Sequence, residues 1–82
     1  MINEVIRFIR DFHNLDNEEI SKDSYLVADL GLESYNVIEM CCAIEEHFSI
    51  FISENDISKL ETVGDIVNYI HNYRQKSGSL LT

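Results

Sequence analysis

Apolar residues recur along this chain at helical spacing, and this periodicity limits the fold more than any other feature of the sequence. Positions i, i+3, i+4 and i+7 lie on one face of an α-helix, so each apolar stripe marks the buried side of a helix. The stripes are Ile2, Val5, Ile6, Ile9 and Phe12, then Val37, Met40, Cys41, Ile44 and Phe48, and then Val63, Ile66, Val67, Ile70 and Tyr73. They predict helices over about residues 2–14, from Ser34 through Phe48, and from residue 63 to between residues 74 and 76.

Two start signals place the last helices. Ser53-Glu54-Asn55-Asp56 has the Ser-x-x-acid form of a capping box, and it predicts a short third helix that carries Ile57 and Leu60. Thr62-Val63-Gly64-Asp65 is a second signal of this type, directly before the last apolar stripe.

The apolar period is lost from Leu15 to Glu33, which predicts a long surface loop held to the core by leucines. The anchoring residues are Leu26, Leu30 and Leu32. A chain of 82 residues supports a single domain with one modest core. We therefore predict an all-α bundle of four helices with a short third helix and a long first loop, in which residues 1–76 form the domain and residues 77–82 a flexible tail.

The charge of the chain is strongly negative. Fifteen acidic residues against six Lys and Arg give a net charge of −9, and from Asp23 to Ser58 there are eight acidic residues and no Lys or Arg. Such a field disfavours nucleic acids and anionic membrane surfaces as partners. Basic protein surfaces are the expected partners.

Cysteines and histidines indicate neither a disulfide framework nor a metal site. Cys41 and Cys42 are adjacent and are the two cysteines of the chain, so no CxxC motif exists. His13, His47 and His71 lie on different segments without an i, i+4 pair, so we expect no zinc site.

Charges interrupt the apolar N-terminus, so we expect no signal peptide and no membrane insertion, and we expect a soluble protein of the reducing cytoplasm.

The segment most informative about chemistry is Asp29-Leu30-Gly31-Leu32-Glu33-Ser34-Tyr35. A glycine-containing loop here delivers Ser34 to the first position of an acidic amphipathic helix. A phosphate ester on this serine would meet unpaired backbone N–H groups and the positive end of the helix dipole. The alternative is that Ser34 is only an N-cap, a position at which serine is common.

One face of the second helix combines apolar residues with carboxylates. At about 100° per residue, several side chains point the same general way as Ser34 and away from the core stripe. This docking surface consists of Glu33, Tyr35, Ile38, Glu39, Cys42, Glu45 and Glu46. It is either a solvated charged face or a site for weak, salt-sensitive binding of basic partners.

Three motifs together resemble the acyl carrier protein family. Leu30-Gly31-Leu32-Glu33-Ser34 stands where the family has Leu-Gly-x-Asp-Ser, and Ala43-Ile44-Glu45-Glu46-His47-Phe48 stands where it has Ala-Leu-Glu-Glu-x-Phe. Thr62-Val63-Gly64-Asp65 and the following Tyr69-Ile70 are similar to the family's last helix. The resemblance covers roughly residues 2–73.

The resemblance implies a carrier and not an enzyme. It implies that the Ser34 hydroxyl attacks the pyrophosphate of coenzyme A in a reaction run by a phosphopantetheinyl transferase, which leaves a covalent 4'-phosphopantetheine arm. The thiol of the arm, and not Cys41 or Cys42, then carries acyl groups that acyl-processing enzymes with basic docking patches act on. The acyl chain is expected to be sheltered between the second helix and its neighbours, near Ile44, Phe48, Ile57, Leu60 and Ile66.

Three residues depart from the family pattern and leave the pathway open. Glu33 replaces Asp, Tyr35 replaces Leu, and Asn36 replaces a residue that is often acidic. The leading interpretation is a monomeric carrier for fatty acid biosynthesis. The alternatives are a discrete carrier for a specialised polyketide, aminoacyl or lipid-tailoring pathway, and an unmodified acidic interaction module in which Ser34 is an N-cap.

Overall fold

The computed structural model describes the backbone of residues 1–15 and 19–81 and the side chains of residues 1–15 and 19–75. Within these residues the chain forms the helices α1 (Ile2–His13), α2 (Ser34–Phe48), α3 (Glu54–Ile57) and α4 (Val63–Leu81). The predicted all-α class, with a short third helix and a long first loop, is confirmed. Residues 16–18 of the predicted loop lie outside the described residues.

The ends of α1 and α2 share one local geometry. Asn14 and Ser49 both adopt the left-handed conformation, with φ values of 55° and 56°. Each donates its backbone N–H to a carbonyl of the last turn, Arg10 O after α1 and Glu45 O after α2. These bonds satisfy carbonyl groups that a helix end otherwise leaves unpaired.

Side-chain caps start the two later helices, as the sequence predicted. Ser53 Oγ accepts the backbone N–H of Asp56 at 3.3 Å at the start of α3. Before α4, Asp65 N donates to Thr62 Oγ1 at 3.1 Å, while Thr62 N donates to Asp65 Oδ2 at 3.1 Å. Backbone N–H groups of Glu61 and Thr62 directed at Asp65 lower the pKa of its carboxyl.

Backbone hydrogen bonds fasten the first loop to the start of α4. Tyr25 and Thr62 form an isolated antiparallel bridge, in which Leu26 N donates to Glu61 O at 2.9 Å. Gly64 N donates to Lys22 O at 2.8 Å, and a Cβ on Gly64 would lie 3.0 Å from that oxygen. The close approach favours glycine at residue 64, and it holds the loop beside α3 and α4.

The core contains most of the residues that the apolar stripes and the loop leucines predicted. Its buried residues are Val5, Ile9, Leu26, Leu30, Leu32, Val37, Met40, Cys41, Ile44, Phe48, Ile50, Ile52, Leu60, Val63, Ile66 and Ile70. Ile2, Ile6, Ile57, Val67 and Tyr73 are partly buried and pack against them.

Three sequence predictions are corrected. The short third helix was expected to carry Ile57 and Leu60, but α3 ends at Ile57, so Leu60 lies in the segment between α3 and α4. Phe12, placed on the buried stripe of α1, is 42% exposed, because it lines a surface depression beside α2 and does not pack in the core. The last helix continues to Leu81 and does not end between residues 74 and 76. Gly78 therefore lies inside the helix, where a glycine costs only about 1 kcal/mol relative to alanine. The domain boundary at residue 76 and the flexibility of residues 77–82 stay predictions.

Candidate functional site

Ser34 is the first residue of α2, and its side chain is exposed. The residue before it, Glu33, has extended backbone angles and is the N-cap. The N-cap interpretation of Ser34 was therefore wrong by one position. The chain turns into this helix through Gly31, whose φ of 70° is one that residues with a Cβ rarely adopt.

The first turn of α2 is fixed by its cap. Asn36 Oδ1 accepts the backbone N–H of Glu33 at 3.0 Å, and Val37 N donates to Glu33 O at 3.1 Å. The first turn of a helix carries N–H groups without intrahelical acceptors and the positive end of the helix dipole. A phosphate ester on the exposed Ser34 hydroxyl fits this environment.

Asn36 therefore has a role that the sequence did not indicate. The sequence suggested only that this residue removes a negative charge from the helix. Its side chain instead accepts the backbone N–H of Glu33 and so caps the N-terminus of α2 beside Ser34. The sequence signal that pointed to this role was the position of Asn36, three residues after the N-cap.

A cavity of about 680 Å³ lies beside Ser34, between the first loop, the start of α2 and α3. Ser34, Val37 and Ile38 form its α2 side, and Ile57 and Leu60 close it from the α3 side. The remaining lining residues are Tyr25, Val27, Ala28, Glu54, Ser58 and Glu61. The cavity is thus mainly apolar, with a serine at its edge.

Only some of the residues that line this cavity were predicted from the sequence. Of the five residues expected to shelter an acyl chain, Ile57 and Leu60 line it, whereas the other three pack in the core. Tyr25 and Val27 were missed, although both are exposed apolar residues on either side of the buried Leu26. This alternation in the loop was the available signal.

The structure brings five of the seven residues of the docking surface together. Ile38, Glu39, Cys42, Glu45 and Glu46 line one surface depression of about 580 Å³, which also includes Phe12 and Ala43. Ile38 contributes to this depression and to the cavity beside Ser34. The remaining residues of the docking surface, Glu33 and Tyr35, flank Ser34 in sequence and are exposed. They line neither the cavity nor the depression.

The two cysteines differ in environment, as the sequence predicted. Cys41 is buried in the core, and Cys42 is exposed in the depression. Burial raises the pKa of the Cys41 thiol to about 11, with smaller effects of Cys42 and Glu45. Cys41 is thus a neutral packing residue.

The structure adds two observations on metals and membranes. Among the described residues, no three His, Cys, Asp or Glu side chains are grouped so that they could hold a metal ion. None of the described helices is both long and apolar enough to cross a lipid bilayer.

Comparison with known proteins identifies the family. Residues 3–70 match the family described as phosphopantetheine attachment site. The acyl carrier protein of Wolinella succinogenes is 44% identical over 57 residues, which are 70% of this chain and 75% of that protein. This chain belongs to the acyl carrier protein family.

A solved acyl carrier protein has the same fold. The crystal structure of the Thermotoga maritima protein matches with a TM-score of 0.78 over 92% of this chain and 87% of that one. At 21% identity this likeness concerns the fold alone. As an acyl carrier protein, the chain is a carrier and not an enzyme, and its cofactor is covalently attached 4'-phosphopantetheine.

Proposed function

We propose that Ser34 is the residue that carries the 4'-phosphopantetheine arm, and that the loaded protein holds acyl intermediates as thioesters in fatty acid biosynthesis. The observation that carries this proposal is the position of Ser34. Its exposed side chain stands at the first position of α2 and at the edge of a mainly apolar cavity. A reactive arm attached there reaches solvent on one side and the cavity on the other.

The local electrostatics support a phosphodiester at Ser34. The N–H groups and the dipole of the first turn stabilise a negative charge, and the cap formed by Asn36 keeps this turn in place. Glu33, the N-cap, is the nearest carboxylate in sequence. The arm supplies a thiol for thioester formation, and the residues of this chain only position it.

The cavity supports an apolar acyl group as cargo. Val37, Ile38, Ile57 and Leu60 line it, together with the loop residues already named. Removal of an apolar chain from water is favourable by about 25 cal/mol per Å² of buried area. A short or medium acyl chain is therefore expected to partition into this cavity when no enzyme is bound.

The docking surface supports a transferase and acyl-processing enzymes as partners. Glu39 and Glu46 are exposed, and no Lys or Arg occurs between residues 23 and 58. Basic patches on the partners meet this field in the cytoplasm, and the association is weakened by salt because the carboxylates are solvated. The protein acts as a monomer in this scheme.

Attachment is tested by the intact mass of the purified chain after incubation with coenzyme A and a broad-specificity phosphopantetheinyl transferase. The parent is expected to gain one phosphopantetheinyl group, and Ser34→Ala to gain none. Ser58→Ala is the matched control, because Ser58 is an exposed serine that lines the same cavity. Equal gains in the parent and in Ser34→Ala would overturn the assignment, and no gain in the parent would favour the unmodified interaction module.

A specialised pathway is the second candidate, and Tyr35 favours it. This aromatic ring is 59% exposed next to Ser34, so partners must accommodate a bulky side chain there. The pathway is tested by offering the loaded carrier to a malonyl transferase and a ketosynthase of fatty acid synthesis. Elongation of an acyl group on the carrier supports the fatty acid role, whereas full loading without elongation supports the specialised pathway.

A further inference from the structure

Phe12 lies in a position that its sequence pattern does not explain. It belongs to the apolar stripe of α1, yet it is 42% exposed, and it lines the surface depression together with residues of α2. An exposed aromatic ring that is part of a concave surface is a common feature of protein interfaces.

Neighbouring rings hold Phe12 in place. Phe8 stacks on it with ring centroids 5.9 Å apart, and His13 contacts it edge to face at 4.9 Å. Phe8 is itself packed against Phe48 of the core at 6.0 Å. Because the ring is already positioned by these contacts, a partner that buries it loses little side-chain entropy.

The α2 wall of the depression gives the surface its charge. Ile38, Cys42 and Ala43 line the depression together with Phe12, and three carboxylates of α2 line it as well. The carboxylates are Glu39, Glu45 and Glu46. A concave surface lined by both apolar residues and carboxylates is complementary to a partner surface that carries an aliphatic or aromatic side chain among Arg and Lys residues.

We propose that partner enzymes of this carrier dock across both α1 and α2, and that Phe12 is an anchor residue of that interface. The partner inserts an apolar side chain between Phe12 and Ile38 and places basic residues beside Glu39 and Glu46. This inference rests on the proposed function, because it concerns the enzymes that act on the arm at Ser34. It extends the docking surface from one helix to two.

The probe is the phosphopantetheinyl transferase with coenzyme A, and the readouts are KM and kcat for the apo carrier as substrate. Phe12→Ala is expected to raise KM roughly five- to tenfold with kcat unchanged, the size expected for a partly buried aromatic anchor. Phe12→Leu retains an apolar side chain and is expected to stay within about twofold of the parent. Phe51→Ala is the matched control, because Phe51 is exposed and lines neither cavity nor depression.

Alkylation of Cys42 gives a second measurement that does not depend on modification of Ser34. Cys42 is an exposed thiol inside the depression, so a docked transferase is expected to slow its reaction with iodoacetamide in the parent and less so in Phe12→Ala. Circular dichroism shows whether each variant is folded.

An unchanged KM for Phe12→Ala, or an equal rise for Phe51→Ala, would overturn the inference while the proposed function stands. Loss of modification in the parent, with Cys42 still protected, would overturn the proposed function and not the interface.

Discussion

The phenol oxygen of Tyr69 donates a hydrogen bond of 2.8 Å to Oδ2 of Asp56, and this bond joins α4 to α3. A helix of four residues is too short to be stable alone, so α3 depends on such contacts. The ion pair between Lys59 and Asp56 is 3.9 Å long and largely exposed, and it adds little. Since α3 closes the cavity beside Ser34, Tyr69 supports that cavity from a distance.

Removal of this hydrogen bond is expected to loosen α3. Tyr69→Phe should lower the free energy of unfolding by about 1.5 kcal/mol, because it deletes one partly buried hydrogen bond to a charged group. Amide exchange in α3 should become faster in Tyr69→Phe than in the parent, and this increase should exceed any increase in α1 and α2. Tyr73→Phe is the matched control, because the hydroxyl of Tyr73 has no hydrogen bond to a described residue. Equal exchange rates in the two variants would contradict the role of Tyr69.

The two thiols are expected to react at very different rates. Burial raises the pKa of Cys41 to about 11, whereas Cys42 is exposed. The apo carrier, which lacks the thiol of the arm, should therefore consume one equivalent of iodoacetamide quickly, and Cys41 should react about a hundredfold more slowly, because both its thiolate fraction and its access are low. In Cys42→Ser the fast phase should disappear. A fast reaction of both thiols would show that Cys41 is not in the core.

His13 is expected to destabilise the protein at mildly acidic pH. Burial lowers the pKa of its imidazole, and the charge of Glu39 offsets this effect in part. Its Nε2 is buried and has no hydrogen-bond partner among the described residues. The His13 imidazole has a pKa near 6.5 in the unfolded state and binds a proton less readily in the folded state. The stability that the neutral, buried imidazole contributes is therefore full above pH 6.5 and is lost as the pH falls below that value.

The measurement is the free energy of unfolding by urea between pH 7.5 and pH 5 for the parent, His13→Leu and His71→Leu. The range extends about one unit above and about one and a half units below the ordinary histidine pKa. His13→Leu should lose less stability on acidification than the parent, and His71→Leu, which changes an exposed histidine, should follow the parent. Parallel curves for the parent and His13→Leu would contradict the prediction.

The left-handed residue after α2 offers a stabilising substitution. Ser49 has φ 56° and ψ 50°, a conformation that costs a residue with a Cβ about 1 kcal/mol. Ser49→Gly is therefore expected to raise the free energy of unfolding by about 0.5 to 1 kcal/mol. Asn14→Gly should gain less, since asparagine tolerates this conformation. A loss of stability in Ser49→Gly would show that its side chain has a role that offsets the strain.

The sequence predicted the helices well because each depends on local signals. The apolar stripe of α2, together with the loop before it, gave the bounds Ser34 to Phe48. The Thr62 and Asp65 cap gave the start of α4. Its end was predicted too early, because the basic residues Arg74 and Lys76 resemble those at a helix C-terminus, and the low cost of a glycine in a helix allows α4 to continue past Gly78.

The features that the sequence missed depend on how separate segments pack together. Periodicity gives the direction of Phe12 but not whether another element covers it. The cavity beside Ser34 needs the first loop to lie against α3, which the bridge between Tyr25 and Thr62 and the bond from Gly64 to Lys22 bring about. Such contacts join residues that are far apart in the chain, so local sequence patterns do not predict them.

The most direct test of the central claim is the position of the arm on the protein isolated from the cells that naturally produce it. Proteolysis followed by tandem mass spectrometry locates the phosphopantetheinyl group on a peptide and then on a residue. Our account predicts that the group is found on Ser34 and on no other serine. A group on a different residue, or an unmodified Ser34 in all of the isolated protein, would contradict it.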